Sequence, residues 1–400
     1  MNDDELFAEA RRTLAHTRAG TTPHEPSQLR VPVHHYTDPD RWALEMDRIF
    51  RRVPLLLAFS AEMAEPNTYK ALDVMGVPVL LTRGADGSVR SFVNMCRHRG
   101  SQLVEAGTGT ARRHACPYHA WTYNPNGELV GIFERADFGE IDQACHSLVS
   151  LPVEERAGLI LGGVVPGADL NLDDFLCGYD RMLALHDLAK CHVVGREQLA
   201  GPNWKVAYDG YLDFYHLPIL HRTTFGSDYP NKGCADVWGP HQRLTQQEGR
   251  VKELLDTPEE EWPRDILLGG VWTIFPNVSI ASFQTGGGRI YQVAQLMPGT
   301  SWDASTTTLT WLAVNEPDEA AMSEIDKQID FLVHVVRDED YRTGLALQQA
   351  LATGAMDEVV FGLLEGNNQR FHRWVDDLVG AVDPADTARL FAQATEFHHP

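Results

Sequence analysis

Cys96-Arg97-His98 and, after a gap of seventeen residues, Cys116-Pro117-Tyr118-His119-Ala120-Trp121 decide how this 400-residue chain is read. Each clamp offers one thiolate and one imidazole. Two thiolates and two imidazoles delivered in this way suit a [2Fe-2S] cluster in which one iron takes both sulfurs and the other both nitrogens. Neutral imidazole in place of thiolate lowers the negative charge around the cluster and raises its potential, so the motif reads first as an electron port. A structural zinc is the rival, because tetrahedral Cys2His2 sets also come as two short clamps. Zinc fingers usually pair Cys with Cys and His with His, whereas each clamp here mixes the two, and Trp121 follows as a large aromatic able to shield a cluster.

Outward from the clamps, residues 45–165 consist of short apolar runs separated by Gly, Pro and Asn: Ala71 to Thr82, Val89 to Asn94, Ala120 to Tyr123 and Leu159 to Val165. That texture predicts a small antiparallel β domain with both clamps on its loops. Before it, residues 2–20 predict a helix with Leu6, Ala10, Leu14 and Ala15 on one face, ending at Gly20. After Pro166, three strands are expected at Val271 to Phe283, Arg289 to Met297 and Thr306 to Val314. The first two are joined across Gly286-Gly287-Gly288, a hairpin turn and not a phosphate cradle, since no Gly-Lys-Ser/Thr follows. A long helix is expected from Glu316 to Gly354 and a shorter one near 374–396. The chain thus divides into a helical segment (1–44), a β domain carrying both clamps (45–165) and a mixed domain of sheet and helices (166–400).

A second constellation lies in Asn203-Trp204-Lys205 through Asp213-x-x-His216-x-x-x-x-His221. Asp213 and His216, three apart, share a helix face. His216 and His221, five apart, diverge by about 140° on a continuous helix, and Pro218 is expected to interrupt it and re-aim the second imidazole. Two imidazoles and a carboxylate with open positions opposite form the facial triad of non-haem Fe(II) oxygenases. In the long helix Ile325, Ile329, Leu332, Val333 and Val336 form an apolar stripe, and Asp340 continues it while Asp338 points away. A carboxylate at the end of a buried stripe is costly unless paired or metal-bound, so Asp340 is the expected third ligand and Asp338 the fallback. The other histidines, His34, His35, His186, His241 and His398 among them, lack such company.

Composition narrows the partners. A net charge of -22 argues against nucleic acid, which needs clustered Lys and Arg. The acidic start Met1-Asn2-Asp3-Asp4-Glu5 does not read as a secretory signal, and no apolar run is long enough to span a membrane, so a cytoplasmic protein is expected. Cys145, Cys177, Cys191 and Cys234 show no pairing pattern and read as thiols in a reducing compartment. Without a nucleotide-binding glycine fingerprint, any nicotinamide chemistry must reside in another protein.

These features together resemble the Rieske non-haem iron oxygenases, specifically the large (α) subunit of aromatic ring-hydroxylating oxygenases. The resemblance covers Tyr36 to Pro39, Asp47 to Phe50, both clamps, Asn203-Trp204-Lys205, the Asp213/His216/His221 run, and Glu339-Asp340 with Gln348. It implies an α+β fold in which a Rieske antiparallel β domain is inserted into a helix-grip-like catalytic domain with an antiparallel sheet and long C-terminal helices. It implies that Cys96, His98, Cys116 and His119 hold a 2Fe-2S cluster and that His216, His221 and Asp340 hold a mononuclear Fe(II). Asp213 would link that iron to the cluster histidines of a neighbouring subunit in a ring-shaped homotrimer, or in an α3β3 assembly with a small subunit.

Electrons from NAD(P)H would arrive through a separate reductase, with or without a ferredoxin, and O2 would oxidise an aromatic or other apolar substrate, with O- or N-demethylation the alternative outcome. The expected pocket runs along Trp272 to Phe283, Leu217 to Phe225 and Phe331 to Val335. An electron-transfer Rieske protein without oxygenase activity is the rival from another class. Three positions depart from the family pattern: Asp209 where Asn is frequent, Ala120 where Gly usually follows the second cluster His, and Val335-Val336 in place of an indole.

Overall fold

The chain is described by a computed structural model covering residues 2–396; Met1 and residues 397–400, His398 among them, lie outside the described residues. It separates into two compact units, one of residues 50–172 with 187–190 and the other of residues up to 49, 173–186 and from 191 onward.

The sheets of the smaller unit are all antiparallel. Its five-stranded sheet runs in the order Ser150–Leu151, Val89–Val93, Val77–Arg83, Thr68–Val74, Gly107–Thr110, and two three-stranded sheets complete it. The apolar run Ala71 to Thr82 is two strands, not one, because Met75 and Gly76 both have positive φ (55° and 78°) and close a two-residue hairpin. Leu80, Phe92, Trp121, Tyr123 and Leu129 pack with both cluster-clamp cysteines in one buried core.

The larger unit is built on a seven-stranded antiparallel sheet in the order His192–Gly201, Ser305–Ala313, Gly288–Pro298, Val278–Thr285, Val271–Ile274, His241–Gln246, Gly233–Trp238. The expected strand Val271 to Phe283 is split at Phe275-Pro276, since proline supplies no N–H to a ladder. The hairpin at Gly286-Gly287 is as expected, with Thr285 paired to Gly288. Gly287 is required there: a Cβ would lie 2.2 Å from the Ala321 carbonyl oxygen.

Helices cover this sheet. The N-terminal helix Asn2–Ala19 buries Leu6, Ala10 and Leu14 as expected, but Ala15 is exposed and Glu9 and Thr13 take the inward positions. Glu9 is inward because Arg243 of the sheet meets it at 2.7 Å. The long C-terminal helix is continuous from Glu319 to Leu351 but changes hand-hold midway, with α turns at Glu319–His334, a π segment at Val335–Tyr341 and α turns again at Arg342–Leu351. The single helix expected near 374–396 is two, Gly366–Gly380 and Pro384–Glu396, separated before Pro384. Among the described residues no helix is long and apolar enough to cross a membrane.

Candidate metal centres

The two clamps of the smaller unit are the same turn made twice. In each, the Cys carbonyl accepts a hydrogen bond from the N–H four residues on, Gly100 to Cys96 and Ala120 to Cys116, both at 2.9 Å. Both closing residues have positive φ, 80° at Gly100 and 54° at Ala120. The Gly-to-Ala departure at 120 is therefore a matter of backbone conformation, not of room for a methyl group.

Asn94 braces the first clamp by donating to Val104 O at 2.7 Å and accepting from Leu103 N and Val104 N at 3.2 Å each. Trp121, buried, stacks on His98 with centroids 4.9 Å apart and planes 10° apart. The Tyr123 hydroxyl accepts from Arg97 N at 2.9 Å and lies 3.6 Å from Cys96 Sγ.

These residues fit an iron–sulfur cluster. Cys96 and Cys116 are buried and unpaired by any disulfide. His98 Nδ1 is buried without a hydrogen-bond partner, whereas His119 Nε2 is engaged by Arg99 at 2.5 Å, which leaves its Nδ1 for a metal. A buried ring nitrogen with no protein partner is the atom a bound iron would satisfy. Burial pushes the Cys96 thiol up. At Cys116 burial acts the same way, but the Tyr118 and His119 N–H groups outweigh it and hold the thiol below its ordinary value.

In the larger unit the helix after Asn203 is short. Asn203 caps it by accepting from Lys205 N at 2.9 Å, and it ends at Asp209. Asp213 and His216 therefore do not share a helix. A turn brings them together instead, with Asp213 Oδ1 3.1 Å from His216 N and 3.0 Å from His216 Nδ1. Pro218 does not end a helix; it begins one, Leu217–Leu220, flanked by His216 and His221. Proline suits that first turn because its missing N–H is not needed there.

His216, His221 and Asp340 converge so that one donor atom from each lies within 4.8 Å of the others. Asp340 Oδ1 is 3.1 Å from His221 Nε2 and 3.8 Å from His216 Nε2. Each imidazole thus presents Nε2 to the same point and gives Nδ1 to a carboxylate: Asp213 for His216, and Glu339 Oε2 for His221 at 2.5 Å. Glu339 also accepts from Thr224 Oγ1. Burial disfavours the charged form of both histidines, but Asp213 at His216 and Asp340 at His221 outweigh it and raise both. Asp338 lies elsewhere, paired with Arg337 and His334. The donor set and its carboxylate-anchored imidazoles fit a first-row divalent metal with open positions.

Asp209 is not aimed at these donors. Its Oδ2 accepts from the buried Tyr36 hydroxyl at 2.8 Å and its Oδ1 is 2.9 Å from His372 Nε2, partners 173 and 163 residues away that left no local signal. Trp272, expected in a pocket, is core: it stacks on Tyr179 and Trp238 and carries the Arg243 guanidinium over its ring. Phe225 stands beside His221 with ring centroids 5.2 Å apart and contacts Tyr229 and Phe331.

The Rieske [2Fe-2S] domain model matches residues 54–140, and the model of the ring-hydroxylating α-subunit catalytic domain matches residues 188–381. The chain belongs to the Rieske oxygenase α-subunit family. Within that family it is similar to the glycine betaine monooxygenase oxygenase subunit of Chromohalobacter salexigens, 31% identical over 193 residues that cover 48% of this chain and 43% of that one.

It is also similar to the carnitine monooxygenase oxygenase subunit of Escherichia coli K12, 32% identical over 199 residues covering 48% and 52%. The benzene 1,2-dioxygenase α subunit of Pseudomonas putida is 32% identical over 194 residues covering 47% and 43%. The aligned region spans about half the length of these relatives. Two solved structures share the fold: a quaternary ammonium Rieske monooxygenase (TM-score 0.74, 22% identity, 87% of this chain and 95% of that one) and naphthalene 1,2-dioxygenase from Rhodococcus sp. (0.73, 21%, 96% and 100%).

Proposed function

We propose that this Rieske α subunit is the terminal oxygenase of a multicomponent system, oxidising a small organic substrate with O2 and electrons that a separate reductase takes from NAD(P)H. The observation that carries the reading is the convergence of His216 Nε2, His221 Nε2 and Asp340 Oδ1 in a chain that also holds the mixed Cys/His clamps. Cys96 and Cys116 would hold one cluster iron, His98 and His119 the other, and His216, His221 and Asp340 the mononuclear iron. Bound there, these groups supply one-electron transfer and reductive activation of O2.

The chain's own residues supply orientation and exclusion of water. Trp121 covers His98, and Asp213 fixes the His216 tautomer by taking its Nδ1 proton in a hydrogen bond. We assign Asp213 the further role of facing a cluster histidine of a neighbouring subunit in a homotrimer or α3β3 assembly. In support, its Oδ1 takes His216 Nδ1 at 3.0 Å while the side chain stays partly exposed.

The substrate reading is an aromatic or other apolar molecule, with Phe225, Tyr229 and Phe331 as an aromatic wall near His221. A second reading, oxidative N-demethylation, is favoured by the quaternary amines in the names of two relatives; aromatic faces also bind quaternary ammonium through cation–π attraction. One experiment separates them. The loaded protein is driven by a surrogate reductase with a panel of simple arenes and quaternary amines, and products are weighed. One or two added oxygens supports ring oxidation, and loss of a methyl group with formaldehyde supports demethylation. Absence of both, with iron no higher than the cluster's own two atoms, would make this an electron carrier instead.

A further inference from the structure

We propose that Glu339 is a positioning residue for the mononuclear metal, selecting the His221 tautomer and aiming its Nε2. The inference rests on the metal reading above but concerns a residue outside the donor set.

Three observations carry it. Glu339 Oε2 lies 2.5 Å from His221 Nδ1, so the ring nitrogen remote from Asp340 is held by an acceptor. An ionised carboxylate can only accept, which places the imidazole proton on Nδ1 and leaves the Nε2 lone pair free for a metal. The second oxygen, Oε1, accepts from Thr224, whose own N–H bonds back to the His221 carbonyl at 3.0 Å. Both carboxylate oxygens are therefore spent on the one loop that carries His221.

The third observation is the helix itself. Glu339 and Asp340 are consecutive, and on an α-helix consecutive side chains diverge by about 100°. Here they serve opposite nitrogens of one ring, at 2.5 Å and 3.1 Å. The π segment Val335–Tyr341 contains both residues. Its wider i→i+5 turn reduces their divergence, and such segments are frequent at functional sites. The wider turn lets two neighbouring acids address the same imidazole.

The arrangement mirrors that at His216, where Asp213 takes Nδ1. The two anchors differ in setting. Asp213 also lines a cavity, whereas Glu339 has both oxygens engaged by its own chain.

The test uses cluster-loaded protein whose mononuclear site has been stripped with a chelator and is titrated with Co(II), read by its visible ligand-field bands and by competition with a chelator of known affinity. Glu339→Gln keeps size and shape, and is expected to weaken Co(II) binding by about 10-fold; Glu339→Ala is expected to approach 100-fold. Thr224→Val, which frees one carboxylate oxygen, should fall between Glu339→Gln and the parent. Far-UV circular dichroism and the cluster's absorbance verify folding in each variant. If folded Glu339→Gln and Glu339→Ala both bind Co(II) within about twofold of the parent, with unchanged bands, Glu339 has no positioning role. His216→Ala separates the two levels: if it too binds Co(II) like the parent, the metal-site reading fails, and with it the premise.

Discussion

Ala120 shows how a single residue can be legible in identity while its consequence waits on the backbone. Its place after His119 marks it as a departure from a usual glycine, but only the turn geometry reveals the left-handed backbone that makes glycine usual. Ala120→Gly should relieve that conformation and raise stability by up to ~1 kcal/mol, seen as a later thermal midpoint with an unchanged cluster spectrum; a lower midpoint would contradict it. His186 gives the residue scale a pH signature. Its ring is enclosed against Trp272 and Tyr291, and burial, aided by the positive field of Arg289, pushes its pKa from 6.5 down to about 3. Between those values the unfolded chain binds a proton that the folded chain refuses. Stability contributed by neutral His186 is therefore present above about pH 6.5 and is lost as pH falls toward about 3, by up to ~1.4 kcal/mol per pH unit. Urea midpoints at pH 7, 6 and 5 should fall less steeply in His186→Phe than in the parent, and equal slopes would reject the assignment.

At the scale of elements, the residues proposed as metal donors could be picked out of the sequence because most of their spacing is local, and the structure brings His216, His221 and Asp340 together. Cys96-x-His98 and Cys116-x-x-His119 need only a turn each, and Asp340 could be read from the apolar stripe that precedes it. Elements held by distant polar partners were not legible. The strand His241–Gln246 buries His241, Gln242 and Arg243, a pattern that reads as surface until Glu9 of the first helix is found against Arg243. Likewise Asn203-Trp204-Lys205 is quotable as a motif, but its purpose lies elsewhere in the chain. Lys205 Nζ meets Glu45 at 2.6 Å and 2.5 Å, Trp204 Nε1 donates to the same carboxylate at 2.9 Å, and Gln348 accepts from Asn203 N. Both members of the Lys205–Glu45 pair are fully buried. Glu45 also holds Arg41 Nε at 3.0 Å, so removing Lys205 leaves the carboxylate one remaining cation; Lys205→Met should cost about 3 kcal/mol, the lower end for breaking a buried pair, with part of the loss recovered in Glu45→Gln/Lys205→Met. Chemical denaturation of the two variants measures this; equal losses would show that the pair is not coupled.

For the whole molecule, the proposed assembly makes a distinct prediction at Asp213. With mononuclear metal supplied in saturating excess to offset the lost His216 anchor, Asp213→Ala should keep the cluster spectrum while reductase-driven product formation falls by about 100-fold; normal turnover would remove Asp213 from the link between subunits. The larger consequence follows from the carboxylates gathered around two imidazoles. Asp213, Glu339 and Asp340 put three negative charges into one small region of a chain that is already at -22. A divalent cation cancels two of them. Stripped of metal, the three carboxylates keep only the two imidazoles, whose affinity for protons they raise, as compensation. The ion is then a tie-rod for the fold as well as a reagent. Adding Fe(II) or Co(II) at about 100 times its dissociation constant should stabilise the folded chain by ~2.7 kcal/mol, read as a higher melting temperature. A cell short of iron would on this account lose the protein itself, by unfolding and proteolysis, and not merely its turnover.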